Sequence, residues 1–278
     1  MDLVDTARRP FWPWVIALMV VLASVGGLFA VAQTAAREAE RTAADRSAAR
    51  AEAWEVPSVA AAAGDAVAAS VQTPVPDAVP AAVPGAAAPV DVVAADPTWT
   101  STVAGRTGIP DRALRAYATA ALTVQREQPG CGIGWNTLAG LGAIESAHGT
   151  HSGGSLRADG YPDPPIRGIA LDGSASAAIA DTDAGVFDGD AVWDRAVGPL
   201  QFIPATWQRW GADANGDGVA DPNQIDDAAL GAARYLCAAG EMTSPAGWRR
   251  AVFSYNHLDS YVDDVAATAN VYAARAAG

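Results

Sequence analysis

The stretch WNTLAGLGAIESAHG, residues 135–149, combines an apolar helical run with a single acidic residue near its end. Leu138, Leu141 and Ile144 recur at helical spacing and predict a buried face. Glu145 lies four residues after Leu141, at the edge of that face, and a glycine follows shortly after it. The stretch therefore predicts a helix that begins at Trp135 and carries a glutamate in its last turn.

A carboxylate in this position has two reasons to stay protonated. Apolar surroundings disfavour its charged form, and so does the negative end of the helix dipole. A carboxylic acid that is neutral near pH 7 can act as the general acid in the cleavage of a glycosidic bond. The alternative is a solvated glutamate at a helix terminus, and other segments of the chain decide between the two.

Two further segments accompany this one. Residues 197–207 place Gly198 and Gln201 before a short helix that we expect to begin at Pro204. Residues 253–257 lie on a predicted helix whose inward stripe is formed by Trp248, Val252 and Tyr255. The three segments, in this order, resemble the lytic murein transglycosylases, specifically the membrane-bound B-type family with a lysozyme-like fold.

The resemblance covers about residues 107–278 and includes the segments 109–117 and 213–218. The sequence of these segments is similar to that of the actinobacterial branch of the family. It implies a mainly α, lysozyme-like domain that cleaves the bond between N-acetylmuramic acid and N-acetylglucosamine in peptidoglycan without water. The product would carry 1,6-anhydro-muramoyl ends. Glu145 would act first as acid and then as base, and the chemistry would need no cofactor.

Five residues are expected to bind the glycan: Ser146, Gly198, Gln201, Tyr255 and Asn256. Several have a structural alternative, because a helix-end serine can bond a backbone carbonyl, a glycine can serve a turn, and a tyrosine can be core. Asp190 or Asp194 as a second catalytic carboxylate would favour a water-using muramidase. A catalytically idle wall-binding or division scaffold is a further alternative.

Residues 213–221 read DANGDGVAD and start like a calcium loop, with oxygen ligands at positions 1, 3, 5 and 9 and glycine at position 6. The expected ligands are Asp213, Asn215, Asp217, Val219 through its carbonyl, and Asp221. Position 12 is Gln224 rather than glutamate, and Asp226 and Asp227 can instead cap the following helix. We expect a weak structural Ca²⁺ site, with a metal-free Asx-turn loop as the alternative.

The chain has two cysteines, Cys131 and Cys237. In an oxidising exterior we expect them to be bridged, which would hold the start of the Glu145 helix against a helix at about residues 227–239. Closing this loop would stabilise the domain by at most about 4.7 kcal/mol in the chain-entropy model. The alternative is two buried, inert thiols.

The composition divides the chain into three parts. Residues 1–32 contain an apolar run at residues 14–32, about 28 Å as a helix and close to the roughly 30 Å of a bilayer core. Arg8 and Arg9 precede the run, so we expect a single-pass anchor with the catalytic domain outside the membrane; secretion after signal cleavage is the alternative. Residues 33–97 form an Ala-rich stalk and a disordered Ala/Pro-rich linker, and residues 98–278 form the catalytic domain.

The chain has a formal net charge of −13, and the compact domain with 12 Arg and 20 Asp and Glu accounts for −8 of it. An acidic domain does not favour binding to nucleic acid or to anionic lipid. Neutral peptidoglycan strands, bound by stacking and hydrogen bonds, fit this charge. Cell-wall or division proteins are further conceivable partners that the sequence does not name.

Overall fold

The computed structural model describes residue 88, residues 90–174 and residues 177–278. All of them belong to one compact unit. The predicted membrane anchor at residues 14–32 and most of the predicted stalk and linker lie outside the described residues. Within the described residues, no helix is both long and apolar enough to span a membrane.

The described part of the chain is mainly helical, as the sequence predicts. Its helices are α1 (Pro97–Thr107), α2 (Asp111–Glu127), α3 (Trp135–Ser146), α4 (Pro204–Trp210), α5 (Ile225–Ala238), α6 (Pro245–Tyr255) and α7 (Asp259–Ala277). Several begin as the sequence indicates. α3 begins at Trp135, and proline opens α4 and α6, where a missing N–H costs no hydrogen bond.

Helix α3 lies in the middle of the helical part, because it packs against both α2 and α7. Trp135, Leu138 and Leu141 are completely buried in it. Helix α5 packs on the other side of α2, and α6 contacts both α5 and α7. The arrangement fixes the end of α3, which carries Glu145, between these neighbouring helices.

The segment between α3 and α5 is built differently. It holds a short 3₁₀ turn (His151–Gly153) and four short strands: β1 (Ser155–Leu156), β2 (Pro162–Asp163), β3 (Arg167–Ala170) and β4 (Arg195–Val197). β1 pairs with β2 and β3 with β4, both antiparallel, in two separate two-stranded sheets. We call residues 151–223, which also include α4, the loop-rich region.

The segment just before α1 is hydrogen-bonded to the helical part of the domain. The backbone N–H of Val93 donates to the Thr123 hydroxyl oxygen and that of Ala95 to the Thr119 hydroxyl oxygen, so the segment before α1 lies along α2. The side chain of Asp96 then caps α1 by accepting from the Trp99 N–H.

The predicted disulfide between Cys131 and Cys237 is present, with 5.4 Å between the two Cα atoms. Cys131 precedes α3 and Cys237 lies in the last turn of α5. The Cys131 carbonyl also accepts from the Met242 N–H, so the bridge sits within a hydrogen-bonded junction. This covalent link holds the entry to the Glu145 helix against α5, as expected.

Candidate active site

Glu145 lies in the last turn of α3, as predicted, but the buried face runs differently from the predicted one. Leu138 and Leu141 are fully buried, whereas Ile144 is 42% exposed, so its predicted place in the core is wrong. A spacing of three residues falls about 60° short of a full turn, and two such steps move Ile144 away from the core. Glu145 is seven residues from Leu138, within about 20° of two full turns, and therefore shares its face.

The chain reverses immediately after Glu145 through two consecutive residues in the left-handed region. Ala147 has φ 51° and His148 has φ 63°. The Ala147 N–H donates to the Ala143 carbonyl and the His148 N–H to the Gly142 carbonyl, which closes the helix end. Non-glycine residues pay a steric cost in this conformation. The end of the Glu145 helix is therefore fixed by strained backbone.

Ser146 fastens this turn to the neighbouring segment. Its hydroxyl donates to the Pro199 carbonyl (2.6 Å) and accepts from the Gly149 N–H (2.8 Å), and the residue is 1% exposed. Of the two roles considered for Ser146, this geometry favours the bond to a backbone carbonyl. The hydroxyl thereby links the end of α3 to the turn that contains Gly198.

A row of aromatic groups supports the other side of the turn. His148 is buried, and its ring nitrogens hydrogen-bond the hydroxyls of Tyr117 (3.3 Å) and Tyr272 (2.9 Å). Burial lowers the pKa of His148 to about 4, so the imidazole is neutral near pH 7. Gly142 makes room for this row, since a Cβ there would overlap the Tyr117 hydroxyl. His148 is therefore a structural part of this turn.

The carboxyl group of Glu145 accepts a hydrogen bond from the hydroxyl of Tyr261 at 2.5 Å. Burial raises the pKa of Glu145 to about 7, although the Tyr261 hydrogen bond acts in the opposite direction. The Glu145 charge in turn helps to hold the pKa values of Tyr255 and Tyr261 above their usual range, after the larger effect of burial. At neutral pH this carboxyl group can therefore both give and take a proton.

The turn at residues 197–201 is tightly built. Gly198 has φ +76°, and the Pro222 carbonyl occupies the space that a Cβ would need. This packing favours the turn as the reason for glycine, the alternative to close approach by a sugar. Gln201 also has positive φ (51°), and its Nε2 donates to the Gly198 carbonyl at 2.9 Å. The hydroxyl of Tyr255 donates to the neighbouring Leu200 carbonyl at 2.7 Å, so α6 is tied to the same turn.

Gln201 and Tyr255 line one small pocket of about 80 Å³. The remaining lining residues are Phe202, Ile203, Thr206 and Tyr235. Tyr255 packs edge-on against Phe202 and Tyr235, with centroids 6.0 and 5.5 Å apart, and remains partly exposed. Asn256 follows at the end of α6 and is also partly exposed. An aromatic wall with one amide at its rim is suited to a sugar ring carrying an acetamido group.

The two aspartates considered as a second catalytic carboxylate have other partners. Asp194 is fully buried and accepts from the N–H and the hydroxyl of Thr182, both at 2.8 Å. Asp190 accepts from the N–H groups of Val192 and Trp193 and pairs with Arg195; these contacts lower its pKa. Both carboxylates therefore organise the loop-rich region.

The predicted calcium loop is held together by two buried carboxylates. Asp213 accepts from the N–H groups of Gly216 and Gly218. Asp227, from the first turn of α5, accepts from the N–H groups of Ala214, Asn215 and Asp221. The expectation that Asp227 caps α5 is wrong, because the side chain of Gln224 accepts the N–H groups of Asp226 and Asp227.

Burial raises the pKa of Asp227 to about 7, and the Asp213 charge adds to this although three N–H bonds oppose it. A cation beside these groups would keep Asp227 ionised, so the oxygen-rich donor set suits Ca²⁺. Among the described residues, the acidic side chains that converge closely enough for one ion are instead Asp181, Asp183 and Asp194 in the loop-rich region. The Asp213 loop would have to turn its oxygens inward to hold one.

Comparison with known proteins finds a family model that matches part of the chain. Residues 178–276 match the family model of the transglycosylase SLT domain. The match supports a lytic transglycosylase family. No curated protein and no solved structure matches the chain significantly. The transglycosylase match includes Gln201, Tyr255 and Asn256 but begins after Glu145, so the role of Glu145 rests on its geometry.

Sequence reasoning missed several residues of the candidate site. Tyr261 is 116 residues from Glu145, and its position on α7, six residues beyond Tyr255, carries no motif of its own. Phe202 stands beside Gln201 and could have been noticed as an aromatic neighbour of a polar residue. Tyr235 reaches the pocket only because α5 packs against α4 and α6, and sequence spacing alone does not predict this packing.

Proposed function

We propose that the domain is a lytic transglycosylase that cleaves the bond between N-acetylmuramic acid and N-acetylglucosamine in peptidoglycan and leaves 1,6-anhydro ends. The observation that carries this proposal is the single carboxyl group of Glu145, with a pKa of about 7, held by Tyr261 at the end of a buried helix. Transglycosylase activity on peptidoglycan in general is supported by the match of residues 178–276.

The chemistry requires one group that changes its protonation state twice. Protonated Glu145 gives its proton to the glycosidic oxygen as the bond from C1 of the muramoyl residue to that oxygen breaks. The substrate's own acetamido group can stabilise the oxocarbenium-like centre. The Glu145 carboxylate then takes the proton from the O6 hydroxyl as O6 bonds to C1. Glu145 is therefore protonated again at the end of the reaction, and no water is consumed.

The hydroxyl of Tyr261 is suited to this alternation. It can stabilise the carboxylate after the first proton transfer by donating to Oε1, and it lowers the pKa of Glu145 against the effect of burial. Burial alone would leave an acid too weak to release its proton at neutral pH. The balance of the two effects brings the pKa close to the pH at which both steps must run.

The pocket lined by Gln201 and Tyr255 supports the proposed roles of the binding residues. Tyr255 would stack on a sugar ring, and Gln201 and Asn256 would hydrogen-bond hydroxyl or acetamido groups. Ser146 and Gly198 would act indirectly, because they join the end of α3 to the turn that holds Gln201. A structural Ca²⁺ held by Asp213, Asn215, Asp217, Asp221 and the Val219 carbonyl, with Asp227 as an additional carboxylate, would stiffen the adjoining loop.

A hydrolytic muramidase remains the rival enzyme. It would need a second carboxylate, typically about 5–9.5 Å from the first, to act as nucleophile or to activate water. Asp190 and Asp194 are engaged by Arg195 and Thr182, and the pKa of Glu145 responds to burial and Tyr261 rather than to another acid of the described residues. These facts favour the single-carboxylate reaction.

For the whole chain we propose a membrane-anchored protein with this domain outside the membrane. The apolar run at residues 14–32 and the proline-rich segment after it support this placement. The disulfide agrees with an oxidising exterior. Secretion after cleavage of the N-terminal segment would place the same domain in the same compartment.

Mass spectrometry of the products from purified peptidoglycan tests the proposed reaction. We expect muropeptides with anhydro-muramoyl ends from the wild-type protein and none from Glu145→Gln. Reducing muramoyl ends would instead identify a hydrolase. Retention of the protein on intact peptidoglycan without product release would identify a binding scaffold. Digestion in ¹⁸O-labelled water separates the first two outcomes, because only hydrolysis incorporates the label.

A further inference from the structure

A second pocket, of about 250 Å³, opens on the loop-rich region and contains none of the residues of the proposed catalytic site. Its lining residues are Arg157, Tyr161, Pro162, Asp163, Pro165, Arg167, Asp221 and Asn223. It is larger than the pocket beside Tyr255 and carries charged groups of both signs. We call it the mixed-charge pocket.

Arg167 is the residue in this pocket that is best placed to bind a ligand. Its Nη1 donates to the Ile166 carbonyl and to the side-chain oxygen of Asn223, which fixes the guanidinium group. In the described part of the chain, no carboxylate forms an ion pair with it. Partial loss of water lowers the pKa of Arg167, although the charges of Asp221 and Asp188 act in the opposite direction. Its Nε and Nη2 atoms remain to donate to a planar carboxylate, which a guanidinium group binds through two parallel bonds.

The other charges restrict the class of ligand. Arg157 and Arg167 supply two positive charges, Asp163 and Asp221 supply two negative ones, and the sum is zero. Arg157 is moreover paired with Asp159 and lies over the Tyr161 ring. The carboxylates in the lining do not favour a polyanion such as a phosphodiester polymer. The pocket suits a ligand that carries both a carboxylate and an ammonium group, with apolar contacts to Pro162 and Pro165.

The mixed-charge pocket adjoins the turn that leads to Gln201. Arg167 pairs with Val197 in the β3–β4 ladder, and the backbone of Pro222 and Asn223 packs directly against Gly198. Gln201, in the pocket with Tyr255, follows Gly198 by three residues, so the Cα atoms of Gly198 and Gln201 are at most about 11 Å apart. A substituent attached to a sugar beside Gln201 reaches this distance with about three amino-acid residues.

We infer that the mixed-charge pocket binds the peptide substituent of the glycan strand, with a peptide carboxylate on Arg167 and a peptide ammonium group on Asp163. This inference rests on the proposed function, since it names the part of the substrate that lies beside the cleaved bond. It makes the pocket a determinant of specificity for peptide-bearing over bare glycan, separate from the residues that break the bond.

The first test compares two substrates: peptidoglycan glycan strands that carry their peptides, and the same strands after an amidase has removed them. Arg167→Gln should lower kcat/KM on peptide-bearing strands about tenfold, mainly through KM, which corresponds to the loss of one charge-assisted contact. On bare strands it should equal the wild type within about twofold. Arg115→Gln, an exposed arginine on α2 outside the pocket, is the matched control. Equal changes on both substrates, or no change on either, would overturn the inference.

A binding measurement keeps the inference testable if the proposed reaction is wrong. Isothermal titration with a disaccharide–tetrapeptide muropeptide and with the same disaccharide lacking the peptide needs no cleavage. The wild type should bind the peptide-bearing form about tenfold more tightly, and Arg167→Gln and Asp163→Asn should each reduce this advantage. Equal affinity of the wild type for the two compounds would disprove peptide recognition, whatever reaction the domain performs.

Discussion

The helical part of the domain and the loop-rich region at residues 151–223 are stabilised by different groups of atoms. Helices α2, α3, α5 and α7 meet through apolar side chains, many of them fully buried. In the loop-rich region, aspartate side chains accept backbone N–H bonds from residues two to seven positions further along, as in Asp183, Asp188, Asp190 and Asp213. The acidic composition there is therefore largely structural.

This difference separates two tasks. The apolar helical part buries Glu145 and raises its pKa, which requires close packing and exclusion of water. The loop-rich region supplies the turn with Gln201 and the mixed-charge pocket, which require exposed polar surface. Burial in the helical part raises the pKa of Glu145. The loops that carboxylates cap form the surface that a substrate would contact.

The largest effect is expected from Glu145→Gln in the helical part. The amide keeps the shape but cannot transfer the proton, so we expect glycan cleavage to fall by at least about 10³-fold. Because the folded-state pKa of Glu145 is raised, its ionisation costs stability as pH rises from about 4.5 through 7. The variant should therefore melt at or above the wild-type temperature at pH 8. Turnover within tenfold of wild type on the same peptidoglycan would contradict the assignment.

Removal of the disulfide should produce the next largest effect. The double variant Cys131→Ser/Cys237→Ser should lose about 2–4 kcal/mol of unfolding free energy, or roughly 5–15 °C in Tm. Hydrogen exchange should rise first at the start of α3 and the end of α5, where the bridge lies. Reductant should lower the Tm of the wild type and leave that of the double variant unchanged. Equal melting of both proteins without reductant would show that the bridge adds nothing.

A buried aspartate variant tests whether carboxylates stabilise the loop-rich region independently. Asp194→Asn leaves Thr182 without its full set of acceptors and should cost about 1–3 kcal/mol. Amide exchange should increase within the described residues 171–197 while α3 and α7 keep their protection. Asp172→Asn, which alters an exposed cap on Ser174, is the control and should change little. Increased exchange throughout the domain would mean that the two regions unfold together.

Calcium should have a smaller effect, confined to the Asp213 loop. With an affinity of about 10⁻⁴–10⁻³ M, about 5 mM Ca²⁺ would stabilise the domain by about 1–2 kcal/mol. In chelator, stability should fall as pH rises from 4 to 7, because the folded-state pKa of Asp227 is raised; calcium should reduce that slope. Calorimetry on a Glu145→Gln background removes the parallel contribution of Glu145.

Two variants locate the calcium effect. Asp217→Ala should abolish the response and Asp183→Ala should retain it. The opposite pattern would move the ion to the cluster of Asp181, Asp183 and Asp194. Identical melting curves in calcium and chelator for all three proteins would remove the metal from the proposal.

The smallest effect is expected from Tyr261→Phe, and it appears in the pH profile. The hydroxyl lowers the pKa of Glu145, so its removal should raise that pKa further. The alkaline limb of kcat/KM, near pH 7 in the wild type, should move to higher pH by up to about one unit. Tyr272→Phe, which contacts His148 rather than Glu145, should leave the limb in place. A lower activity with an unmoved limb would reduce Tyr261 to a packing residue.

The sequence predicted those elements whose signals are local. Helix α3 follows from apolar periodicity, and the start of α4 follows from a proline at the first helical position. The place of Glu145 in the last turn of α3 follows from its spacing to Leu141. The disulfide followed from a pair of cysteines alone. The prediction that Ile144 is buried was wrong because two steps of three residues place a side chain about 120° away from the starting face of the helix.

The remaining features depend on contacts between distant segments. Strands β1 to β4 are two to four residues long, too short for an alternating pattern to be recognised. Tyr261 reaches Glu145 only because α7 packs against α3. Asp227 turns back into the loop at residues 213–221, although a sequence position in the first turn of a helix is typical of capping.

The paired left-handed residues after Glu145 also bear on any effort to engineer a hardier enzyme. Glycine at residue 147 would relieve backbone strain and is the kind of substitution that a thermostability screen selects. The same change would make the turn after α3 more flexible, and this turn helps to hold Glu145 in place because Ala147 follows Glu145 by only two residues. Heat resistance gained there would be exchanged for catalytic alignment. Library design should therefore keep this turn intact and direct its diversity to the exposed faces of α2 and α7.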